Sequence, residues 1–223
     1  MGKSILSAKK LLKISLYHQT FLKRFLDLII STLTLIILSP LILAVAGLIR
    51  VVSGKPVFFF QKRVGKDGKV FNFIKFRTMR VNAEKEKSKY RKLNEADGPV
   101  FKIQNDPRFT KVGRILSKSS LDEIPQFINV LKGEMSIVGP RPLPIYEANK
   151  LTSRQKIRNL VKPGMTSPWV INGAHKLPFK KWMELDRKYV MNASLGGDVV
   201  ILIKTFLTIM KHILNSLPRL IGF

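Results

Sequence analysis

Two carboxylates stand side by side in "SSLDEIPQFINVLKG", residues 119–133, as Asp122 and Glu123. Successive residues on a helix point about 100° apart, so an adjacent pair cannot perform one task twice. One carboxylate can attack as a nucleophile, and on phosphorus that attack forms an acyl phosphate. The other can hold Mg2+, which takes oxygen ligands through one or two carboxylates plus substrate phosphates and neutralises charge on a diphosphate under attack. Basic groups would complete such a clamp. Lys75 and Arg77 of "FIKFRTM" and Arg141 of "VGPRP" are the candidates. Any one lysine among 40 basic residues reads equally well as surface charge, but an arginine between two prolines sits on a rigid backbone. The pair itself has a second explanation. Ser120-Leu121-Asp122-Glu123 fits the S-x-x-E capping box, Ser120 capping and Glu123 reaching back, with Pro125 tolerable near a helix start. Acids are favoured in a first turn by the helix dipole. Spacing alone leaves capping and catalysis both open.

Other chemistries have less to work with. The chain has no cysteine, so thiolate metal sites and disulfides are excluded, and His18, His175 and His212 show no metal-ligand spacing. With 40 Lys+Arg against 14 Asp+Glu, the formal charge is +26, which points to polyanionic partners: nucleic acid, an anionic lipid surface or phosphorylated substrates. A nucleic-acid binder needs a groove-reading element or interleaved aromatics. Here the basic residues are scattered and the aromatics cluster in "VFFF" and "FNF" at strand-like spacing, so no nucleic acid is expected.

Hydropathy favours a lipid surface. Phe25 to Val52 carries only Asp27 and Arg50 as charges. A straight helix through its uncharged part, about 22 residues, would be roughly 33 Å long and would span a core of about 30 Å. Ser39-Pro40 interrupts it, and proline kinks a helix. Positive charge marks the cytoplasmic side, and the flanks tie: Lys3, Lys9, Lys10, Lys13, Lys23 and Arg24 before, Arg50, Lys55, Lys62, Arg63, Lys66 and Lys69 after. A tie suits a re-entrant hairpin. A kinked span remains open on these features alone.

The 223 residues suit one domain plus an accessory element. Two strands are expected around a Lys66-Asp67-Gly68 turn, then a solvated helix over 82–96 ended by Asp97-Gly98-Pro99, and a short helix with Val112, Ile115 and Leu116 inward. "MSIVGPRP" reads as a strand closing in a Gly-Pro turn, Thr152 to Leu160 as a basic helix, "VKPGMTSPWVING" as loop and strand, and "PFKKWMELDRKYVM" as a helix. Val199, Leu202, Ile203, Phe206, Ile209 and Ile213 recur at 3–4 spacing near the C-terminus, on a core helix or on one lying in a membrane interface. Asp186 and Asp198 join the candidate substrate-binding set and are the next nucleophiles to test after Asp122.

"KRFLDLIISTLTLIILSPLI", "FNFIKFRTM", "DPRFTKVGRIL", "SLDEIPQFINVLKGEMSIVGPRP", "VKPGMT" and "ELDRKYV" occur in this order. With them the chain closely resembles the bacterial sugar transferases, in particular the small monotopic polyprenyl-phosphate phosphoglycosyl transferases, over roughly Lys23 to Met210. The resemblance implies an enzyme that moves a sugar phosphate from a nucleoside diphosphate sugar, a UDP-sugar in expectation, to polyprenyl phosphate. Nucleoside monophosphate leaves, and exopolysaccharide, capsule, O-antigen or glycoconjugate assembly begins for downstream glycosyltransferases to continue. It implies Asp122 as nucleophile in a ping-pong mechanism, Glu123 as Mg2+ ligand, and Lys75, Arg77 and Arg141 around the phosphates. It also implies a helix broken at Ser39-Pro40 that returns to the cytoplasmic face of the bacterial inner membrane, against anionic lipid. The expected architecture is therefore α+β: a basic extension over 1–22, a membrane-embedded re-entrant helix over 23–52, and over 53–223 a compact, mostly helical catalytic domain with a small β-hairpin and interfacial amphipathic helices. Relatives usually carry arginine at the position of Ser117, and glycine, glutamine and arginine at those of Ser167, Val170 and Ala174. These departures affect donor choice, or mark a catalytically impaired, membrane-anchored partner protein of the same family.

Overall fold

Pro40 divides the apolar segment. In the structure, a computed structural model describing residues 15–221, helix α1 (Phe21–Ile37) ends at Leu38 and helix α2 (Ser39–Val52) leaves at 61° to it. Pro40 lies in the first turn of α2, where its missing N–H leaves nothing unpaired and its ring prevents α1 from continuing. The Ser39 hydroxyl donates to the Ile36 carbonyl at 2.8 Å. The halves have 17 and 14 residues, about 25 and 21 Å at the helical rise. Among the described residues no single helix is long and apolar enough to cross a membrane.

The polar residues of α1 face the protein. Lys23 Nζ lies 2.7 Å from Asp198 and 3.3 Å from Asp27, and Asp27 Oδ1 also accepts from the Ser136 hydroxyl and the Ile137 N–H, both at 3.1 Å. Arg24 donates to the Val130 and Leu131 carbonyls at 2.7 and 2.9 Å, satisfying the end of helix α4 (Gln126–Leu131). This corrects the flanking-charge argument. Lys23 and Arg24 on one side, and buried Arg63 on the other, are engaged internally and do not report on sidedness. Lys3, Lys9, Lys10 and Lys13 lie outside the described residues.

The expected hairpin forms from β1 (Phe58–Val64) and β2 (Val70–Phe76), in register from Phe58↔Phe76 to Val64↔Val70, with Asp67 (φ 55°) and Gly68 (φ 79°) turning the chain. A short strand β4 (Leu143–Pro144) pairs with β1 on its other side. Strand β3 (Ser136–Val138) runs parallel to β5 (Gly164–Thr166). The latter pair is so close that a Cβ on Gly164 would run into the Gly139 backbone. Helices α3 (Lys111–Lys118), α5 (Ile145–Ala148), α6 (Pro168–Ile171), α7 (Phe179–Asn192) and α8 (Leu195–Ile221) complete this mixed helix-and-sheet fold.

One core cluster joins Phe71 and Phe73 of β2 to Val130, Met135, Val138 and Tyr189. A second stacks Trp169 on Trp182, with ring centroids 4.2 Å apart. A third packs Val45 and Ile49 of α2 on Phe76 and Leu116, which fixes the bent helix to the domain.

Three expectations change, and in α8 an open choice narrows. Residues 85–93 of the solvated segment and 155–160 of the basic one are 3-10 rather than α-helical. Ile115 is exposed, leaving Leu116 buried and Val112 half-buried as the inner face of α3. In α8 Val199, Ile203 and Phe206 of the apolar stripe are 45%, 55% and 62% exposed, while Leu202 packs on the first core cluster and Asp198 and Ile201 face the protein. Residues 168–171 of the "VKPGMTSPWVING" segment are helical rather than loop or strand. Ile213's side chain lies outside the described residues.

Candidate active site

Three elements converge on the acid pair. Helix α3 starts at Thr110, whose Oγ1 accepts from the Gly113 N–H at 2.9 Å. It ends at Lys118, and Ser120 in the left-handed region (φ 60°) reverses the chain into a single 3-10 turn, Leu121–Glu123. The expected capping box is absent. The Ser120 side chain makes no cap, and its carbonyl accepts from the Glu123 N–H at 3.1 Å instead. Helix α4 begins after Pro125. The pair therefore sits in a tight turn between two helices, with Asp122 only 5% exposed.

Strand β2 supplies Lys75, whose Nζ is 3.7 Å from Asp122 Oδ2. The Gly-Pro-Arg-Pro turn after β3 supplies Arg141, which donates to Glu123 Oε1 at 2.9 Å. Asn129 ties α4 to the outer edge of β2: its Oδ1 accepts from Ile74 N–H at 3.1 Å and its Nδ2 donates to the Asn72 carbonyl at 2.8 Å. It also donates to Glu134 at 2.6 Å.

Two further cations were not picked out in the sequence. Arg63 is buried, stacks 3.7 Å from the Phe73 ring centre and donates to the Pro142 carbonyl at 3.0 Å. A signal for it existed, because the hairpin register pairs Arg63 with Phe71 and so places it on the inward face. Lys102, in the long connection between β2 and α3, had no such signal. Burial and the nearby charges of Arg141 and Lys75 hold its pKa below the usual lysine value, against the pull of Asp122 and Glu123.

The two carboxyls are driven apart. Burial raises Asp122 to about 6, against Lys75 and with the help of Glu123. Burial would raise Glu123 also, but Arg141, Lys75 and Arg63 outweigh it and hold Glu123 below the usual range. Burial lowers Lys75 despite Asp122. Neighbouring titratable groups with separated pKa values are a mark of divided catalytic labour. The donor set also suits Mg2+. Among the described residues no cluster of three acidic or histidine side chains offers a complete cage, and an ion that keeps waters and takes substrate phosphates needs only one or two carboxylates.

Three expected substrate ligands do not join this cluster. Arg77 is buried, and its guanidinium donates to the carbonyls of Ser53, Gly54 and Lys55 at 2.5–3.1 Å, anchoring the chain leaving α2. Asp186 is fully buried and pairs with Arg158 at 2.9 Å. Asp198 is buried against Lys23 and accepts from the hydroxyls of Tyr189 and Tyr17 at 2.8 and 3.1 Å. Arg77 is thus held by backbone carbonyls and the two aspartates by internal ion pairs.

The family model for bacterial sugar transferases matches residues 18–212. The chain belongs to that family. Among its relatives, the Sinorhizobium fredii "Exopolysaccharide production protein ExoY" is 41% identical over 82% of this chain and 83% of that protein. The Streptococcus agalactiae "Galactosyl transferase CpsE" is 41% identical over 85% of this chain, which spans only 42% of that protein's length. The Salmonella typhimurium "Undecaprenyl-phosphate galactose phosphotransferase" is 38% identical over 86% of this chain and 41% of its own. In this sugar transferase chain the departing loop lies behind Arg141. Ser167 is fully buried and caps α6, Val170 and Ala174 pack on the tryptophan cluster, and the Arg141 guanidinium lies 5.8 Å from the Trp169 ring centre.

Proposed function

We propose that this chain transfers a sugar 1-phosphate from a nucleoside diphosphate sugar, a UDP-sugar by preference, to polyprenyl phosphate, the first step of exopolysaccharide or related polymer assembly. The observation that carries the reading is the Asp122–Glu123 pair, two carboxyls of opposite pKa displacement among Lys75, Arg63, Lys102 and Arg141. That surplus of positive charge suits a diphosphate. Asp122 Oδ attacks the sugar-bearing phosphorus, and the bond from that phosphorus to the bridging oxygen breaks. Nucleoside monophosphate leaves and a phosphosugar remains on the carboxyl. A phosphate oxygen of the polyprenyl acceptor then attacks the same phosphorus, the acyl–phosphate bond breaks, and the carboxylate is restored. Asp122 must be ionised to attack, and a pKa near 6 leaves it so at neutral pH while keeping it a competent leaving group. Arg141 and Lys75 orient and neutralise the phosphates. Glu123 would hold Mg2+, which when bound supplies further neutralisation of the diphosphate.

The acceptor is a lipid, and the bent helix pair supports a matching placement. Each half is shorter than a hydrocarbon core of about 30 Å, and Leu33, Ile36, Ile37, Leu43 and Val51 expose between 52% and 84% of their surface. Val199, Ile203 and Phe206 of α8 are exposed apolar side chains as well, and exposed apolar surface of this kind suits an interaction with lipid. In this reading α1 and α2 enter the cytoplasmic face of the inner membrane and return to it, amid anionic lipid, and the product passes to downstream glycosyltransferases.

The test is incubation of purified protein with labelled UDP-sugars and no acceptor. A covalent phosphosugar adduct is expected, with release of uridine monophosphate, and none with Asp122→Asn. Adduct formation by Asp122→Asn would overturn the reading. Wild-type protein that is labelled by no donor would make the chain an inactive partner instead.

A further inference from the structure

The turn that carries Arg141 has an unusual means of support. Pro140 and Pro142 offer no N–H, so the support of these two residues must come through their carbonyls. All three consecutive carbonyls accept from a buried donor: Pro140 from the Gly164 N–H at 3.0 Å, Arg141 from Arg158 at 2.5 Å, and Pro142 from Arg63 at 3.0 Å. Two of these donors are arginines, 3% and 9% exposed. Burying a guanidinium is costly unless its charge is matched. Arg158 is matched by Asp186 at 2.9 Å and lies 5.3 Å from the Trp182 ring centre. Arg63 is stacked on Phe73 and lies among the groups that hold the Glu123 carboxyl down.

A neutral donor could satisfy either carbonyl without that desolvation cost. What a charged, planar and buried donor adds is a stiff, charge-assisted bond. Stiffness matters where a group must meet a phosphate, because a displacement of about 1 Å can cost on the order of a hundredfold in rate. We propose that Arg63 and Arg158, the latter locked by Asp186, are positioning residues that hold the Arg141 guanidinium in place beside Glu123. This rests on the reading above, in which Arg141 grips the donor's phosphates. It also gives Asp186 a role in the site without contact with substrate.

A double-mutant cycle tests it, read as the rate of adduct formation from labelled donor at saturation, the donor KM and the melting temperature. Arg158→Lys keeps a charge for Asp186 but loses the planar fork. It is expected to slow adduct formation tenfold or more, with the melting temperature nearly unchanged. In an Arg141→Lys background the same change is expected to cost less than about twofold, because the group it positions is already gone. Arg63→Lys should behave alike. If Arg158→Lys does not fold, Asp186→Asn releases the lock while leaving Arg158 in place, and the same non-additivity is expected. Effects of Arg158 and Arg141 that multiply independently would overturn the proposal, as would Arg158→Lys at wild-type rate. Arg141→Lys within twofold of wild type would instead remove the phosphate-binding reading of Arg141, and the positioning role with it.

Discussion

Replacing Lys75 by methionine keeps the length of the side chain and removes its charge, 3.7 Å from Asp122. At that distance the Coulomb attraction is about 4 kcal/mol for an effective dielectric constant near 20, and a neighbouring cation typically lowers a carboxyl by about 1–3 pKa units. Asp122 stands at about 6 with Lys75 present. Without it, the carboxyl should titrate at about 7–9, the sum of the starting value and that release. The ionised fraction at pH 7 then falls from about nine-tenths to between about a half and a hundredth, a rate loss of roughly 2- to 100-fold that recovers toward pH 9. The assay is rapid-quench measurement of adduct formation from labelled donor, without acceptor, between pH 4.5 and 9. A lower plateau would report lost phosphate binding, and the acid limb separately reports Asp122. An acid limb that stays near its wild-type position would refute the claim that ionisation of Asp122, set by Lys75, gates attack.

The same raised pKa makes ionised Asp122 a burden on the fold. Its stabilising contribution is complete below the unfolded value of 3.8 and is lost as the pH rises through about 6. Asp122→Asn should therefore raise stability at pH 8 by about 2–3 kcal/mol, the cost of a shift of about two units. The gain should vanish near pH 4, as followed by thermal denaturation in detergent. Single cysteines at Leu16 and Lys66 should both resist an impermeant thiol reagent in intact cells, and labelling of one alone would restore a spanning helix. Asn129→Ala leaves Ile74 N–H and the Asn72 carbonyl unpaired at the edge of β2, and should cost about 1–3 kcal/mol of stability. It should also lower kcat more than donor KM in steady-state assays, since β2 carries Lys75.

The acid pair and Arg141 stood out through the family resemblance of the unbroken string that carries them, because their spacing alone fitted a helix cap as well as a catalytic pair. Lys75 and Arg77 show where such legibility ends. They are two apart, Lys75 on β2 and Arg77 just past its end, yet Lys75 meets Asp122 while Arg77 meets the carbonyls after α2. What separates them is the position of another element, which no local pattern encodes. Ser120 misled for a different reason. The S-x-x-E spacing is a cap only if the serine is extended, and here the chain must reverse after α3, which drives Ser120 to φ 60°. In α8 the periodicity was visible but its orientation was not. Asp198, paired with Lys23, turns one side inward and leaves Val199, Ile203 and Phe206 outside. Long-range contacts made the Arg77 and α8 decisions, and their partners lie as far apart as residues 23 and 198.

The bent helix is joined to the chemistry in two separate places, by ion pairs on α1 and by apolar packing on α2. On α1, Asp27 accepts from Ser136 and Ile137 of β3, and Lys23 pairs with Asp198, which accepts from the Tyr189 hydroxyl beside the Val138 carbonyl. Strand β3 leads directly into the turn bearing Arg141. On α2, Val45 and Ile49 pack on Phe76, next to Lys75, and on Leu116 of the helix that precedes Asp122. One half of the bent pair is thus fastened to the arginine side of the site and the other to the lysine and nucleophile side. The two halves meet at a 61° bend. It sets the separation of two anchor points, and with it the distance across which Arg141 meets Glu123 and Lys75 meets Asp122. Asp27, buried at 3% exposure and accepting from both Ser136 and Ile137, is the bolt of that first anchor.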